Sequence, residues 1–328
     1  MREFLKTAFL FATGLAVIFG LLSAVYATRV SERDNFYDLL KRFENQDVRP
    51  SVLILGDSRP IFGLRRKFMD NAIYNFSFPS ETYREMLLKA EYALRQKPSI
   101  RYLIIPIDYH MLSSFYAADK DATHLFALAS SADIRSVYEF SPGALALAVL
   151  HGYIPLTDPE ARVTFITVIK KDVYSLLSGR VEKRTTFVTA DGDLVPTDET
   201  SWSEFSAAAK EARADRRIHD HLRSGPVVTD AMLRALDHLL SFAAEKGVGV
   251  IGVRFPVTTE YENRMREVGL DGVDAAFAER KNKFVSELDY LRWSREREDF
   301  FQDADHLNSK GAEAFTKQFV ADIRNVIK

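Results

Sequence analysis

The sequence predicts an α/β fold in which helices cover a parallel β-sheet. Short apolar runs suited to buried strands occur at 52–55, 102–108 and 248–256 of the 328-residue chain. Stretches with apolar residues at helical spacing lie between them, for example at 81–96 and 229–246. Strand, helix and strand in this order are typical of the βαβ unit, whose two strands run parallel.

The composition is that of a folded protein, and it excludes several function classes. Hydrophobic residues make up 47% of the chain and charged residues 27%, with a formal net charge of −2. This balance does not indicate a surface for nucleic acid. The chain has no cysteine, which excludes disulfides, thiolate metal sites, a cysteine nucleophile and lipid attachment through cysteine.

The segment 8–27 contains twenty residues without a charged side chain. About twenty apolar residues cross a bilayer as a helix, whereas the apolar core of a secretory signal usually has roughly 7–15. We therefore predict that 1–28 is a membrane anchor. Val25-Tyr26-Ala27 is a poor cleavage site, which leaves a cleaved signal peptide as the alternative. Basic residues flank the segment almost equally, so they do not orient it.

The chain between the anchor and the first strand, 29–50, is predicted to be a polar helical linker. Its apolar residues recur at helical spacing, and Pro50 ends the pattern. The elements predicted next are strands at 52–55, 72–78 and 102–108 and an amphipathic helix at 81–96.

The middle of the chain, 113–224, departs from this alternation and is predicted to be an insertion over the top of the sheet. Its predicted elements are helices at 125–129, 143–150 and 165–177, a β-hairpin at 185–196 and a charged helix at 203–223. The α/β pattern then resumes with a helix that Thr229 caps and Gly247 ends. The remaining predicted elements are a strand at 248–256, mainly helix at 261–284, a fifth strand within 286–293 and a helix at 312–326. Residues 51–328 are thus predicted to form one catalytic domain with an insertion.

The first predicted strand leads into a Gly-Asp-Ser turn, which places Ser58 at the carboxyl edge of the sheet, where sites in open α/β folds lie. A serine is a weak nucleophile unless a base accepts its proton and a third group orients that base. An acid three residues before a histidine can reach the histidine Nδ1 across one turn, and Asp303 precedes His306 by three residues. Asp305 is expected to point away from Asp303, so the predicted triad is Ser58, His306 and Asp303.

These two motifs resemble those of the SGNH/GDSL hydrolase superfamily. The resemblance rests on the strand with Gly-Asp-Ser at 56–58 and on D-x-x-H-L-N-x-x-G at 303–311, just before the final helix. It covers about 55–110 and 229–328. It implies a flavodoxin-like three-layer sheet, with Ser58 as the nucleophile and the aspartate–histidine pair completing the triad.

Two positions depart from the motifs of that superfamily. A glycine whose N–H helps to hold the oxyanion has its counterpart in Ser80, whose own N–H can do the same. An asparagine that donates a hydrogen bond to the oxyanion has its counterpart in Asp108. An ionised aspartate accepts hydrogen bonds but cannot donate them. Loss of one such donor typically costs roughly 10²–10³ in rate. Asp108 is predicted to end its strand and cap the next turn, and Asn75 is either a turn residue or part of the oxyanion site.

Other charged positions have competing interpretations. Arg59, beside the predicted nucleophile, either binds an anionic substrate or forms a surface ion pair. His219-Asp220-His221 has the residue types of a metal pair, but residues i and i+2 of a helix point apart and no third ligand is evident nearby. The stretch 213–223 is predicted to be a solvated helical face. The sequence therefore predicts neither a metal nor a cofactor.

The membrane segment, the two motifs, the missing oxyanion donor and the insertion together are similar to the DltD-like and alginate-acetylation-type proteins. This resemblance implies a serine acyltransferase held by one transmembrane helix, with its catalytic domain on the extracytoplasmic face of the cell membrane. Its acceptor would be a cell-envelope or exported polysaccharide, and its partner a membrane-bound O-acyltransferase. Two alternatives remain open: a glycan O-acetyl esterase, and a catalytically idle protein of the same fold that binds glycan or acts as a scaffold.

Overall fold

The structure is a computed structural model of the 328-residue chain. It describes residues 1–29, 35–45, 48–117, 125–130, 133–134, 146, 149–151, 159–178, 186–189, 191–196 and 200–327. The chain groups into two compact units, which are described separately. One comprises Met1–Asp38 with Lys120–Arg184, and the other Leu39–Asp119 with Thr185–Lys328.

The helices and strands are numbered in chain order. The α-helices are α1 (Arg2–Arg29), α2 (Asn35–Asn45), α3 (Ser58–Gly63), α4 (Tyr83–Gln96), α5 (Ser114–Ala117), α6 (Leu125–Leu128), α7 (Pro159–Ser178), α8 (Ala207–Ile218), α9 (Asp230–Glu245), α10 (Thr259–Arg266), α11 (Asp271–Ala278) and α12 (Ser309–Val326). The strands are β1 (Val52–Ile54), β2 (Ile73–Asn75), β3 (Tyr102–Pro106), β4 (Thr186–Val188), β5 (Leu194–Pro196), β6 (Gly249–Arg254) and β7 (Ser286–Asp289).

A five-stranded sheet forms the centre of the larger unit, with the strand order β2-β1-β3-β6-β7. All four neighbouring pairs are parallel. In the register, Ile54 of β1 is paired with Asn75 of β2 on one side and with Ile104 of β3 on the other. This confirms the predicted fold class. The order is that of a flavodoxin-like sheet, in which the second strand lies on one side of the first and all later strands are added on the other side.

Helices cover both faces of this sheet. On one face, Val52 and Ile54 belong to an apolar cluster that includes Phe315 and Phe319 of α12. Because successive strand residues point to opposite faces, the fully buried Leu53 lies on the other face. The helices α4 and α9 pack against each other on that second face. The result is the predicted three-layer arrangement, in which central strands covered on both sides are apolar throughout.

Part of the predicted linker belongs to the core of the larger unit. Helix α2 occupies the middle of 29–50, as its helical spacing predicted. Phe43 of α2 is fully buried and stacks on Phe76 with the ring centroids 4.5 Å apart. The second half of this segment is therefore packed structure and not only a connection.

The predicted insertion divides between the two units. The hairpin at 185–196 is confirmed by the antiparallel pairing of β4 with β5. The charged helix is confirmed as α8, which begins after its N-cap Ser206 and runs into a π-helix, His219–Arg223. Both lie in the unit that contains the sheet, whereas α6 and α7 belong to the smaller unit with α1. Most of the helix predicted at 143–150 lies outside the described residues.

Helix α1 is the one helix among the described residues that is long and apolar enough to cross a membrane. The span is Arg2–Tyr26, with a mean hydropathy of 2.3, and its apolar window is not buried. Within the same unit, the ring of Tyr26 contacts Phe165 of α7 at a centroid distance of 6.0 Å. The length and composition expected of a membrane anchor are thus present in one continuous helix.

The start of α12 gives a stability prediction. A Cβ added at Gly311 would overlap the backbone carbonyl of Phe300, which cannot move as a side chain could. We expect Gly311→Ala to lower the free energy of unfolding by about 1–3 kcal/mol. In the control Gly272→Ala, in α11, the nearest atom lies 3.9 Å away, and we expect a gain of about 0.4–1 kcal/mol. Urea unfolding measures both, and equal midpoints would contradict the packing described at Gly311.

Candidate active site

A tight turn between β1 and α3 presents Ser58 at the carboxyl edge of the sheet. In this turn Gly56 has a φ of +154°, and an added Cβ would lie 2.6 Å from Cγ of Pro60. Glycine is therefore required for so close a turn. Asp57 is the N-cap of α3 and accepts a hydrogen bond from the N–H of Arg59 at 3.0 Å. Ser58 begins the helix and is half-buried.

A second turn, just before α12, presents the histidine. An antiparallel bridge between Phe301 and Leu307 closes this turn. Inside it, Oδ1 of Asp303 accepts hydrogen bonds from the N–H of Asp305 at 3.0 Å and of His306 at 2.9 Å. These bonds fix Asp303 against the backbone, so its carboxylate is held beside the imidazole.

The two turns meet, and the three residues predicted as a triad form one hydrogen-bond chain. Ser58 Oγ lies 2.7 Å from Nε2 of His306, and Nδ1 of His306 lies 2.9 Å from Oδ2 of Asp303. Both distances are within the range at which a proton can be transferred. The side chain of His306 is 9% exposed and that of Asp303 44%. The geometry that the predicted triad requires is present, and its catalytic role remains a prediction.

Two carboxylates favour the protonated form of His306. Burial works against a charged imidazole, but Asp303 and Asp305 outweigh burial and raise the pKa of His306 above its ordinary value of 6.5. The nearer oxygen of Asp305 lies 3.7 Å from Nδ1, beyond hydrogen-bond distance. These distances agree with the preference for Asp303 as the acid that orients the imidazole.

Arg59 points into the fold and bridges two buried carboxylates. Its Nη1 lies 3.0 Å from Asp108 and its Nη2 3.3 Å from Asp305, and each of the three side chains is at most 3% exposed. Arg217 of α8 supplies a second cation, with Nε 2.9 Å from Asp305. This buried arrangement differs from both sequence interpretations of Arg59, the substrate contact and the surface ion pair.

Asp108 has its carboxylate inside the fold. Its Oδ1 accepts a hydrogen bond from the N–H of Phe255 at 3.0 Å and pairs with Arg59. Asp108 does occupy the N-cap position of the 3₁₀-helix Tyr109–Leu112, as predicted, but its side chain makes no capping hydrogen bond. Burial raises the pKa of Asp108 to about 7, and the Arg59 guanidinium opposes that rise. In its ionised form this carboxylate balances part of the charge of Arg59.

Asn75 and Ser80, the candidate oxyanion residues, follow β2. Nδ2 of Asn75 donates to the carbonyl of Pro60 at 2.9 Å, and its Oδ1 accepts from the N–H of Ser77 at 3.1 Å. These bonds tie the end of β2 to α3, so Asn75 braces the nucleophile turn. Ser80 has a φ of +64°, a conformation that residues other than glycine seldom adopt. It stands where the resembled superfamily has glycine.

The segment around Ser80 is attached to the nucleophile turn. The N–H of Phe78 donates to the carbonyl of Gly56 at 2.9 Å. Behind this segment, Lys89 of α4 donates a hydrogen bond to the carbonyl of Phe76, just after β2, at 2.6 Å. Lys89 also forms a buried ion pair with Glu81. Burial raises the pKa of Glu81 to about 8, although Lys89 opposes the rise. No sequence pattern beyond the helical position of Lys89 indicates this ion pair.

Sequence analysis also missed a polar group beneath the nucleophile turn. Oδ2 of Asp57 lies 2.9 Å from Nε2 of His110 and accepts from the hydroxyl of Tyr116 at 2.9 Å. Burial lowers the pKa of His110 to about 4, so the ring is neutral at pH 7. Both partners come from the segment after β3: His110 precedes the predicted insertion at 113–224, and Tyr116 lies at its start.

The two histidines at 219 and 221 point apart, as predicted. His219 is exposed, whereas His221 is buried, with its ring stacked on His110 at 4.7 Å and its Nδ1 2.9 Å from the hydroxyl of Tyr261. The prediction of a solvated face at 213–223 is wrong at Ala214, Ile218, His221 and Leu222, which are buried. The last two lie in the π-helix His219–Arg223.

Among the described residues, one group of side chains has donor atoms close enough together to hold a metal. The atoms belong to Asp303, Asp305 and His306 and lie within 4.8 Å of one another. They already bind each other, Ser58 and two arginines. The donor set is therefore part of the hydrogen-bond network around Ser58.

A cavity of about 230 Å³ adjoins the histidine turn. Its lining consists of charged side chains of α8 and residues of the turn itself: Arg213, Arg216, Arg217, Asp220, Asp303, Ala304 and Asp305. A small polar group bound there would lie next to the acid that orients His306.

The sequence matches no protein-family model and no curated protein. Solved structures give distant similarities. One is a proposed acylhydrolase from Bacteroides fragilis (TM-score 0.38, 11% identity, 88% of this chain and 97% of that one). Another is a proposed platelet activating factor from Streptococcus pneumonia (TM-score 0.40, 11% identity, 94% of this chain and 99% of that one). A third is a GDSL-like lipase from Bacteroides thetaiotaomicron (TM-score 0.38, 10% identity, 88% of this chain and 98% of that one).

The ion pairs of Arg59 give a second stability prediction. Arg59→Met leaves Asp108 and Asp305 buried with less positive charge, so we expect the free energy of unfolding to fall by about 3–5 kcal/mol. In the control Lys317→Met, the exposed pair with Glu313 is lost, which costs less than about 1 kcal/mol. Chemical denaturation of the full chain in detergent compares the two. Equal effects would contradict the buried bridge.

The position of Asp305 predicts a shift in the titration of His306. The pKa of His306 lies above 6.5 in the folded protein because two carboxylates favour the charged ring. Asp305→Asn removes one of them, so the titration midpoint moves to lower pH. Nuclear magnetic resonance of labelled histidine side chains measures the midpoint, with His306→Gln to assign the signal. Asp220→Asn, which lines the same cavity, should leave it unchanged, and an unchanged midpoint in Asp305→Asn would contradict the electrostatic argument.

Proposed function

We propose that the protein is a membrane-anchored, SGNH-type serine acyltransferase that acts on a cell-envelope or exported polysaccharide. One observation carries the proposal: Ser58 Oγ, His306 and Asp303 form a continuous hydrogen-bond chain at the carboxyl edge of a parallel sheet. This is the arrangement by which a base activates a serine and an acid orients the base. The proposed reaction passes through an acyl group on Ser58.

In the first half of the reaction, Ser58 Oγ attacks the carbonyl carbon of the acyl donor while Nε2 of His306 accepts the serine proton. The tetrahedral intermediate then collapses, the bond to the leaving oxygen breaks, and His306 returns its proton to that oxygen. Asp303 stabilises the imidazolium that exists between these two transfers. The products are an ester on Ser58 and a free alcohol.

In the second half, His306 accepts a proton from a hydroxyl of the acceptor glycan, and the resulting oxygen attacks the ester on Ser58. The acyl–serine bond breaks, and the proton moves from His306 to Ser58 Oγ. Water in place of the sugar hydroxyl gives hydrolysis by the same steps. Acyl transfer and ester hydrolysis thus differ only in which hydroxyl reaches the site.

Backbone N–H groups are the proposed oxyanion donors. Ser58 is the first residue of a helix, whose initial N–H groups have no partner within the helix. Ser80, in its left-handed conformation, is the proposed second donor. Asp108 is paired with Arg59 and Asn75 with Pro60, so neither side chain is assigned an oxyanion role. Fewer donors favour a slow reaction that depends on binding a particular acceptor.

The proposed location is the extracytoplasmic face of the cell membrane, with α1 as the anchor. Its apolar span of 25 residues supports the anchor, and the extracytoplasmic orientation follows the resemblance described above. A membrane-bound O-acyltransferase that delivers the acyl group is the proposed partner, following the resemblance described above. An esterase that removes acetyl groups from glycans is the second candidate, favoured by the same hydrogen-bond chain.

The proposal predicts that a fluorophosphonate probe labels Ser58 in the folded full chain in detergent. Serine oxygen displaces fluoride from phosphorus, and this step needs the activated oxygen. We expect no labelling in Ser58→Ala and a rate at least about 10²-fold lower in His306→Ala. Intact-mass spectrometry measures the adduct.

The matched controls are Ser203→Ala and His219→Ala, which change an exposed serine and an exposed histidine. Both should label as the unchanged chain does. Labelling that persists in Ser58→Ala, or that is absent from a chain shown to be folded, would contradict an activated Ser58 and leave the idle binding protein as the better account.

A further inference from the structure

Helix α7 exposes a broad apolar stripe. Five of its large apolar side chains are between 49% and 81% exposed, namely Val163, Ile166, Val173, Tyr174 and Leu177. With 100° of rotation per residue, these positions fall within about one third of the helix circumference. Contiguous apolar surface of this kind is uncommon on a soluble protein and marks a surface that contacts another apolar phase.

The polar residues of α7 frame this stripe. Thr167 and Ser178 lie along one border and Arg162 along the other, and all three are exposed. Lys170 lies within the stripe and is exposed, where a long side chain can keep its ammonium group in water above apolar neighbours. Five charged residues occur among the twenty of α7, so the helix is too polar to cross a bilayer. This pattern is that of a helix that lies flat in a membrane interface.

The position of α7 relative to α1 identifies the occupant of the stripe. Phe165, on the opposite side of α7, contacts the ring of Tyr26 at a centroid distance of 6.0 Å. Tyr26 is the last residue of the 25-residue apolar span. Such a span is about 37 Å long, against a hydrocarbon thickness of about 30 Å. Tyr26 therefore lies at the membrane surface if α1 crosses it, at the depth that tyrosine prefers.

We propose that α7 is an interfacial helix, with the stripe defined above inserted among the lipid headgroups and upper acyl chains beside α1. This inference rests on the proposed membrane anchoring by α1. It gives the smaller unit a second attachment to the bilayer, through Val163 to Leu177 of the stripe. The bilayer is the occupant because α7 contacts the end of α1, the one element of the described chain that is suited to lipid.

The absence of cysteine allows a direct test with single-cysteine variants of the full chain. Ile166→Cys, Val173→Cys and Leu177→Cys are each labelled with an environment-sensitive fluorophore and placed in nanodiscs of phosphatidylcholine and phosphatidylglycerol. Leu15→Cys in α1 reports on the anchor, and Glu279→Cys, with a side chain that is 76% exposed, is the aqueous control. Nitroxide-bearing lipids, with the nitroxide near the headgroup or deep in the chain, serve as quenchers.

We expect the three stripe positions to show blue-shifted emission and stronger quenching by the shallow nitroxide than by the deep one, while the Glu279 position shows neither. Stripe positions that behave like the Glu279 position, with the Leu15 position quenched by lipid, would overturn the inference and leave the anchor intact. A blue shift without quenching by lipid would overturn it in favour of a protein partner. Absence of lipid quenching at Leu15 as well would overturn the proposed membrane location itself.

Discussion

The buried contact between Arg59 and Asp305 is the interaction on which the site depends most. Arg59 follows Ser58 and Asp305 precedes His306, so this one ion pair joins the two turns that must meet. The two turns are separated by 248 residues along the chain, and the parallel sheet alone fixes them only to the same edge. A charge pair with exposures of 3% and 2% adds a contact that is costly to separate, since either charge left alone is poorly solvated.

The same constraint explains why a carboxylate stands at position 108. Arg59 carries its charge into a region closed to water, and Asp108 and Asp305 together compensate it. An asparagine at 108 would donate to an oxyanion but would leave less negative charge around the guanidinium. The site thus combines a firmly held nucleophile turn with fewer side-chain donors for the oxyanion. Fewer donors would slow both the formation and the breakdown of the proposed acyl-serine.

The sequence predicted the parallel sheet, the terminal helix and the juxtaposition of Ser58 with His306, because these follow from local patterns: apolar strand runs, Gly-Asp-Ser, and an acid three residues before a histidine. It did not predict the inward turn of Arg59 or His221. Burial of a charged or polar side chain depends on partners distant in the chain, such as Asp108 for Arg59, and no local pattern records them. The surface prediction at 213–223 failed for the same reason, since His221 stacks on His110, which lies far from it in the chain.

The most direct test of the account is to look for the acyl-serine itself. The full chain in detergent is mixed with an activated acetyl ester, and peptide mass spectrometry locates any acetyl group. The account predicts one acetyl ester on Ser58 that needs His306 and that disappears faster when an acceptor polysaccharide is added. Acetylation at other residues only, or equal acetylation of the folded Ser58→Ala variant, would contradict it.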